Sequence, residues 1–338
     1  MREAIGLAYT LAMRLITMIA SVAFLAGSMA AQQPAAMKPS IAITFDDLPI
    51  HGQLPPGETR LQIAQSILST LQANQMPPVY GFINARRLTP ADPVHASTNT
   101  HDITTANPDY AFFTAWRAAG EPLGNHTANH ISLDDSTASA FEQNILDDEP
   151  VLATLMRGHD WHWFRFPYLQ EGDTIPKRRQ IQAWLKEHRY RTAEVTMDFE
   201  DYLWNAPYAR CVAGHDEKSI QLLRSSFLSS AGQSLNFYRL RSYQVYGREI
   251  PYVLLLHVGA FEAVTLPDLL KLYRHVGLQF VSLPQAESDA AYAEDPDIGE
   301  PGGGTLIDLE AEKRNIPVTY HSKPPKELED ICPTSASK

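Results

Sequence analysis

From Ile41 to Leu283 the chain alternates short apolar runs with helix-spaced segments, and most apolar runs end on a residue that can do chemistry. Alternation of this kind over about 250 residues implies parallel β/α units, because parallel strands need a crossover and helices supply it. The strand-like runs are Ile41–Phe45, Val79–Ile83, the short Pro122–Asn125, Trp161–Phe166, Thr192–Met197, Tyr252–Leu256 and Leu278–Leu283. Helical spacing covers Thr59–Ala73, Asp109–Ala119, Ser136–Met156, Lys177–His188, Lys218–Ser229 and Leu266–His275. The fold class expected is α/β, either a barrel or a doubly wound sheet.

The first apolar run ends in Asp46-Asp47-Leu48-Pro49, and the proline stops the ladder. Successive strand residues point opposite ways, so the two carboxylates are expected to project differently, one toward a metal and the other toward a proton. Alone, the stretch favours the reading of a solvated turn. His126 and His130 lie four apart; on a helix they would share a face about 5–6 Å apart, suited to one metal, and otherwise they are surface histidines. Two imidazoles and one carboxylate make a hydrolytic metal set. Arg165 follows a Trp-rich strand and offers a fork of donors that can orient an aspartate base, or form a surface ion pair. Asp198, Glu200 and Asp201 follow another run, with Glu200 read as solvated. His257 closes Leu254-Leu255-Leu256 and is either a satisfied rim residue or a general acid. All of these marks fall at the carboxyl ends of strand-like runs, where β/α barrels gather catalytic groups.

Thr44-Phe45-Asp46-Asp47-x-Pro49, His126-Thr127-x-x-His130, Arg165-x-Pro167-Tyr168, Asp198-x-x-Asp201 and Leu254-x-Leu256-His257 occur in that order. In this the chain resembles the polysaccharide deacetylases, the NodB-homology family, or carbohydrate esterase family four. The resemblance covers roughly residues 41–283 and implies an irregular (β/α) barrel with seven or eight strands. It implies removal of N- or O-acetyl groups with one divalent metal ion, zinc ahead of cobalt, nickel or manganese. By position, Asp46 resembles the general base, and Asp47, His126 and His130 the metal ligands. Arg165 would orient Asp46, and the Tyr168 backbone N–H would help hold the oxyanion. His257 would be the general acid, tuned by Asp201 or, in second place, Asp198. Leu254 and Leu256 would shape the acetyl pocket together with Tyr202 and Leu48. Four departures stand out: Leu48 where the family commonly has Gly, Phe166 where Pro is common, Leu169 where Gly often follows, and Tyr202 in place of Trp. The metal and proton-transfer residues are intact, whereas Leu48 and the long Arg86–Pro108 loop favour a narrower substrate. A C–N hydrolase of small amides, a non-catalytic carbohydrate-binding barrel and a purely structural exported barrel are the alternative readings.

A net charge of -11 argues against nucleic acid as a partner; the resemblance implies a cell-wall or chitin-like glycan as the substrate. Arg2 and Arg14 precede an uncharged run, Leu15–Ala31, that ends in small residues. This is the pattern of a cleaved signal peptide over residues 1–31, with export to the periplasm or beyond and no stable membrane span. The alternative is a retained anchor. The catalytic domain is expected over residues 38–290, with an extended tail over 291–338 that wraps the surface. Cys211 and Cys332 suit either one disulfide of an exported protein or two separate thiols. Nothing in the sequence sets the oligomeric state.

Overall fold

The computed structural model describes residues 38–88, 108–317 and 324–333. The signal segment expected at 1–31 and most of the Arg86–Pro108 loop lie outside these. By internal contacts the chain divides into Met1–Lys38 and Pro39–Lys338, and the described strands and helices all lie in the second unit.

Strand β1 (Ser40–Leu48) is buried along its whole length. It pairs in parallel with β2 (Tyr80–Ile83) and β6 (Tyr252–His257), and its first two residues also pair with β7 (Gln279–Phe280). Beyond β2 come β3 (Leu123–Asn125), β4 (Trp163–Phe164) and β5 (Arg191–Thr192), giving the order β5-β4-β3-β2-β1-β6. The chain leaving β5 then reaches the far edge. Met197 bridges Leu254, and the N–H groups of Thr196 and Met197 both donate to the Val253 carbonyl at 3.1 Å. The sheet therefore curls until its edges meet, as the irregular (β/α) barrel.

Alternation along the strands sorts the core into two layers. Ala42, Phe82, Trp163, Ala193 and Val253 turn inward and pack with Leu283 and Ala286 as the barrel floor. Ile41, Ile43, Phe45, Leu254 and Leu256 turn outward into the main core, against Ile63 and Ile67 of α1 (Arg60–Ala73), Phe112 and Trp116 of α2 (Pro108–Ala118), and Phe261 and Leu266 from beyond β6. Helix α1 starts where the sequence predicts. Thr59 caps it and Gln62 reaches back, a reciprocal pair worth about 1 kcal/mol.

Several elements differ from expectation. Ser136–Met156, read as one helix, is two: α3 (Ala138–Leu146) and α4 (Glu149–Leu155). Pro150 lacks an N–H and its ring would clash with the Leu146 carbonyl, so the first helix stops there. Asp148, between the two, is fully buried and accepts the Ala85 N–H at 2.7 Å. After α5 (Ile175–Glu187) comes α6 (Asn205–Ala213), which the sequence reading missed, and α7 (Glu217–Tyr246), which runs far past Ser229. Around its middle it buries Ser230, Ala231 and Ser234, small residues, two of them polar, that weaken the apolar stripe a hydrophobicity reading follows. Helix α8 (Ala260–His275) begins before Leu266 and contains Pro267. The carbonyl that Pro267 leaves without its helical partner, that of Ala263, accepts the Ser66 hydroxyl of α1 at 3.1 Å. The last strand is short and runs into α9 (Leu283–Ala286).

The segment expected as an extended tail holds α10 (Leu306–Lys313), whose Ile307 and Ala311 enter the main core. Further on, Cys332 is bonded to Cys211 of α6 with a Cα separation of 5.2 Å. The Arg210 guanidinium grips the same stretch, donating to the carbonyls of Cys332 (2.9 Å), Ile331 (2.9 Å) and Glu329 (3.0 Å). Among the described residues no helix is long and apolar enough to cross a membrane.

Candidate active site

The end of β1 breaks the strand rule on which the sequence reading relied. Asp46 and Asp47 are adjacent, yet both line one cavity of about 410 Å³ at the carboxyl ends of the strands. The β1–β2 register shifts between Phe45 and Leu48, and Asp47 sits at φ 62°, in the left-handed region. A bulge of this kind re-aims one side chain, and here it brings both carboxylates to the same side.

His126 and His130 follow β3 on a turn, not on the helix that would have paired them by spacing. Thr127 and His130 take φ values of 61° and 52°. A β-branched residue there costs about 1–3 kcal/mol and persists only where its surroundings hold it. Here they do: the Thr127 N–H donates to Asn125 Oδ1 (2.9 Å), and Asn84 Nδ2 donates to the carbonyls of His126 and Thr127 (both 2.9 Å). The His126 and His130 rings lie 4.8 Å apart. Asp47 Oδ1 is 3.3 Å from His130 Nε2 and 3.7 Å from His126 Nε2, and one ligand atom from each of the three residues falls within 4.8 Å of the others. His126 Nδ1 lies 2.8 Å from the Arg165 carbonyl. A carbonyl only accepts, so Nδ1 carries the proton and Nε2 turns its lone pair on the site. Burial holds the His126 pKa well below its ordinary value, which keeps that lone pair available. The donor set fits one divalent metal ion.

Arg165 spans the barrel interior, 1% exposed. Its Nε donates to the Ala193 carbonyl (2.6 Å) and Nη2 to Thr44 Oγ1 (3.2 Å), while Nη1 faces both oxygens of Asp46 at 3.4 Å. The guanidinium also lies 4.6 Å over the Phe82 ring, so the ion is stacked as well as hydrogen-bonded. Burial raises the Asp46 pKa, Arg165 and His257 restrain it, and the result is about 6.

Opposite, His257 Nδ1 bonds Asp201 Oδ1 at 2.8 Å, and the His257 N–H donates to Asp201 Oδ2 at 2.7 Å. Burial disfavours the imidazolium, but the Asp201 charge and hydrogen bond outweigh it, and the pKa is pushed up to about 10. Asp201 therefore tunes His257, whereas Asp198 Oδ1 accepts the Glu200 N–H at 2.9 Å.

The predicted residues divide into three groups. Asp46, Asp47, His126, His130, Tyr168, Tyr202 and His257 line the cavity, with Arg165 and Asp201 buried behind it. Leu48, Leu254 and Leu256, predicted as pocket residues, are fully buried in the main core instead. Leu254 and Leu256 lie an odd number of places from His257, so their side chains leave the opposite face of β6; it is Leu255, two places away, that lines the cavity. Leu48 packs toward Gly81, where an added Cβ would come within 2.4 Å of its Cδ2. The sequence reading also missed His51, whose ring lies 5.1 Å from Tyr202 and 4.9 Å from His257. A histidine four places after Asp47, just past the proline, was its only signal. Glu200, read as solvated, lines the cavity as well, and so do Gly302–Thr305 from the C-terminal segment.

Residues 33–190 match the family model for polysaccharide deacetylase. The His257 and Asp201 pair lies beyond that match. No curated protein matches this sequence. Among solved structures, the family 4 carbohydrate esterase from Streptomyces lividans in complex with acetate aligns at 18% identity and TM-score 0.42, over 75% of this chain and 97% of that one. The peptidoglycan deacetylase PdaC from Bacillus subtilis aligns at 16% identity and TM-score 0.44, over 75% and 93%. A CE4 family pseudoenzyme from Bacillus anthracis aligns at 12% identity and TM-score 0.45, over 75% and 66%.

Proposed function

We propose that the protein is an exported, metal-dependent hydrolase that removes acetyl groups from an acetylated carbohydrate, cleaving an amide C–N bond or, in an O-acetylated substrate, an ester. The observation that carries this reading is the convergence of two pairs and a triad on one cavity: Asp46 with Arg165, His257 with Asp201, and Asp47 with two imidazoles. A binding module needs no base held near neutrality and no acid held protonated. The uncharged run that ends at Ala31 supports export by a signal peptide to the periplasm or beyond.

Asp47, His126 and His130 would hold the metal, and His126 is oriented for it by the Arg165 carbonyl. When bound, a divalent ion at these residues supplies Lewis-acid polarisation of the acyl carbonyl and of the attacking water. Asp46, kept in place by Arg165, takes the water's proton. Tyr168 lines the cavity on a left-handed turn (φ 59°), and its backbone N–H would help hold the oxyanion. His257, protonated through Asp201, gives its proton to the leaving amine or alcohol. Tyr202, His51 and Leu255 wall the space beside His257 in which the acyl methyl would sit.

The test is acetate release from chitin oligomers, acetylated xylan and peptidoglycan fragments, with metal and with chelator. Chelator-sensitive release from at least one glycan, abolished in Asp46→Asn protein that still binds metal, is expected. Release that survives in Asp46→Asn would refute the base assignment.

A further inference from the structure

The cavity has a wall that none of the family motifs supplies. The chain between Glu300 and Asp308 runs along the top of the barrel, from the loop after β3, past the turn after β4, to the chain after β5, and it is tied down at each step. The Gly302 N–H donates to Asp134 Oδ2 (2.8 Å), the Gly304 N–H to the Leu169 carbonyl (3.3 Å), and the Leu306 N–H to the Val195 carbonyl (2.8 Å). Gly303 lies so close to the Tyr168–Leu169 turn that an added Cβ would meet the Leu169 carbonyl oxygen at 2.5 Å, and its φ of 73° suits glycine. Thr305 is 3% exposed, and its hydroxyl donates to Asp308 Oδ2 at 2.7 Å. The Tyr238 hydroxyl donates to the same oxygen at 3.3 Å. Helix α10 anchors the far end in the main core through Ile307 and Ala311. Gly302, Gly303, Gly304, Thr305 and Asp308 all face the cavity that holds Asp46, Asp47 and His257.

We propose that Gly302–Asp308 is a fixed end wall that stops the substrate cleft over β4 and β5, so the site takes the terminal residue of a short acetylated glycan. This rests on the deacetylase reading of the same site. An interior sugar must let its chain leave the reacting centre in two directions. A wall held by backbone hydrogen bonds and a core-packed helix removes one of them, and packed segments of this kind do not yield continuously. The sugar at a chain end needs only one exit.

The test maps where acetate is lost. End-labelled N-acetyl chito-oligomers of increasing length are treated with metal-loaded protein, and the products are sequenced by mass spectrometry. Loss from one terminal residue first, at rates that change little once a second sugar is present, is expected. Early loss from interior residues at rates comparable to the end would overturn the wall. In Gly303→Ala, the added Cβ must push the segment off Leu169, and interior loss should rise by about tenfold relative to terminal loss, the weight of about one well-placed contact. A folded Gly303→Ala protein with an unchanged map would also overturn the proposal, and the wild-type map decides the matter even where that variant fails to fold. No acetate from any oligomer, with metal bound, refutes the deacetylase reading itself; acetate from interior positions refutes the wall alone.

Discussion

Asp46 and His257 are register partners across the β1–β6 pair, so the candidate base and acid stand on one rung of the sheet. Neighbouring strands are about 4.8 Å apart, and an acyl group between these two side chains is within reach of both. Their environments differ in sign. Arg165 faces one and Asp201 the other, so each is held in the state its role needs.

A bell-shaped pH profile is the consequence. Asp46 must be deprotonated, so activity rises as pH passes through its value of about 6. His257 must be protonated, so activity falls as pH passes through about 10. The plateau lies between these limits in kcat/KM. Asp201→Asn removes the charge that holds His257 high, and the alkaline limb should move down toward the ordinary histidine range. An alkaline limb that stays in place would remove His257 as the acid.

Metal affinity should depend on His130 and His126 more than on any acid in the cavity beyond Asp47. His130→Ala is expected to weaken zinc binding by more than the roughly 10–100-fold that losing a supporting hydrogen bond costs. Competition with a chromogenic chelator measures this without reference to turnover. Zinc should also raise the melting temperature of wild-type protein and leave that of the variant nearly unchanged.

Leu254 and Leu255 are adjacent but should fail in opposite ways. Leu254→Ala opens a hole in the main core and should cost about 2–5 kcal/mol of stability with little change in KM. Leu255→Ala enlarges the cavity beside His257, and the variant should accept longer acyl groups such as propionyl. Denaturant melts and an acyl-length series distinguish the two.

Cutting the Cys211–Cys332 bond should lower stability without altering the site. The bond spans a sequence separation of 121, a closure worth about 4–5 kcal/mol in the chain-entropy model. Turnover at room temperature should survive in the double Ser variant, because α10 and its hydrogen bonds hold Gly302–Thr305 independently of the bond. Loss of activity at a temperature where the variant is still folded would contradict this.

The sequence carried the parallel β/α alternation because apolar runs and helix spacing survive inspection one segment at a time; the barrel, against a doubly wound sheet, came from the resemblance. The sequence also carried the chemical residues because each ends such a run. It misplaced Leu254 and Leu256, although the alternation that sends His257 into the cavity also sends them out of it. The convergence of Asp46 and Asp47 was not legible, because it depends on a left-handed aspartate and a register shift that no local pattern announces. The same holds for His126 and His130, whose approach comes from a turn and not from helical spacing. The length of α7 was hidden by buried serines. The wall at Gly302–Thr305 is a long-range contact, and Pro301-Gly302-Gly303-Gly304 looked like a linker because glycines that permit close approach look the same in sequence as glycines that permit freedom.

The bulge in β1 gives that strand something like a reading frame. Upstream of it, Ala42 and Thr44 share Asp46's face; downstream, Asp47 joins them out of phase. Inserting one residue between Ser40 and Phe45 would send Asp46 outward among the helices and turn a phenylalanine toward the reacting centre, whatever the chain does afterwards. Only a matching deletion in the same few residues restores the phase. Just beyond Pro49 this ladder has ended, and a change in length in that loop would leave Asp46 and Asp47 in phase. In evolution, the site's history is therefore expected to be one of substitutions before Pro49 and of insertions after it.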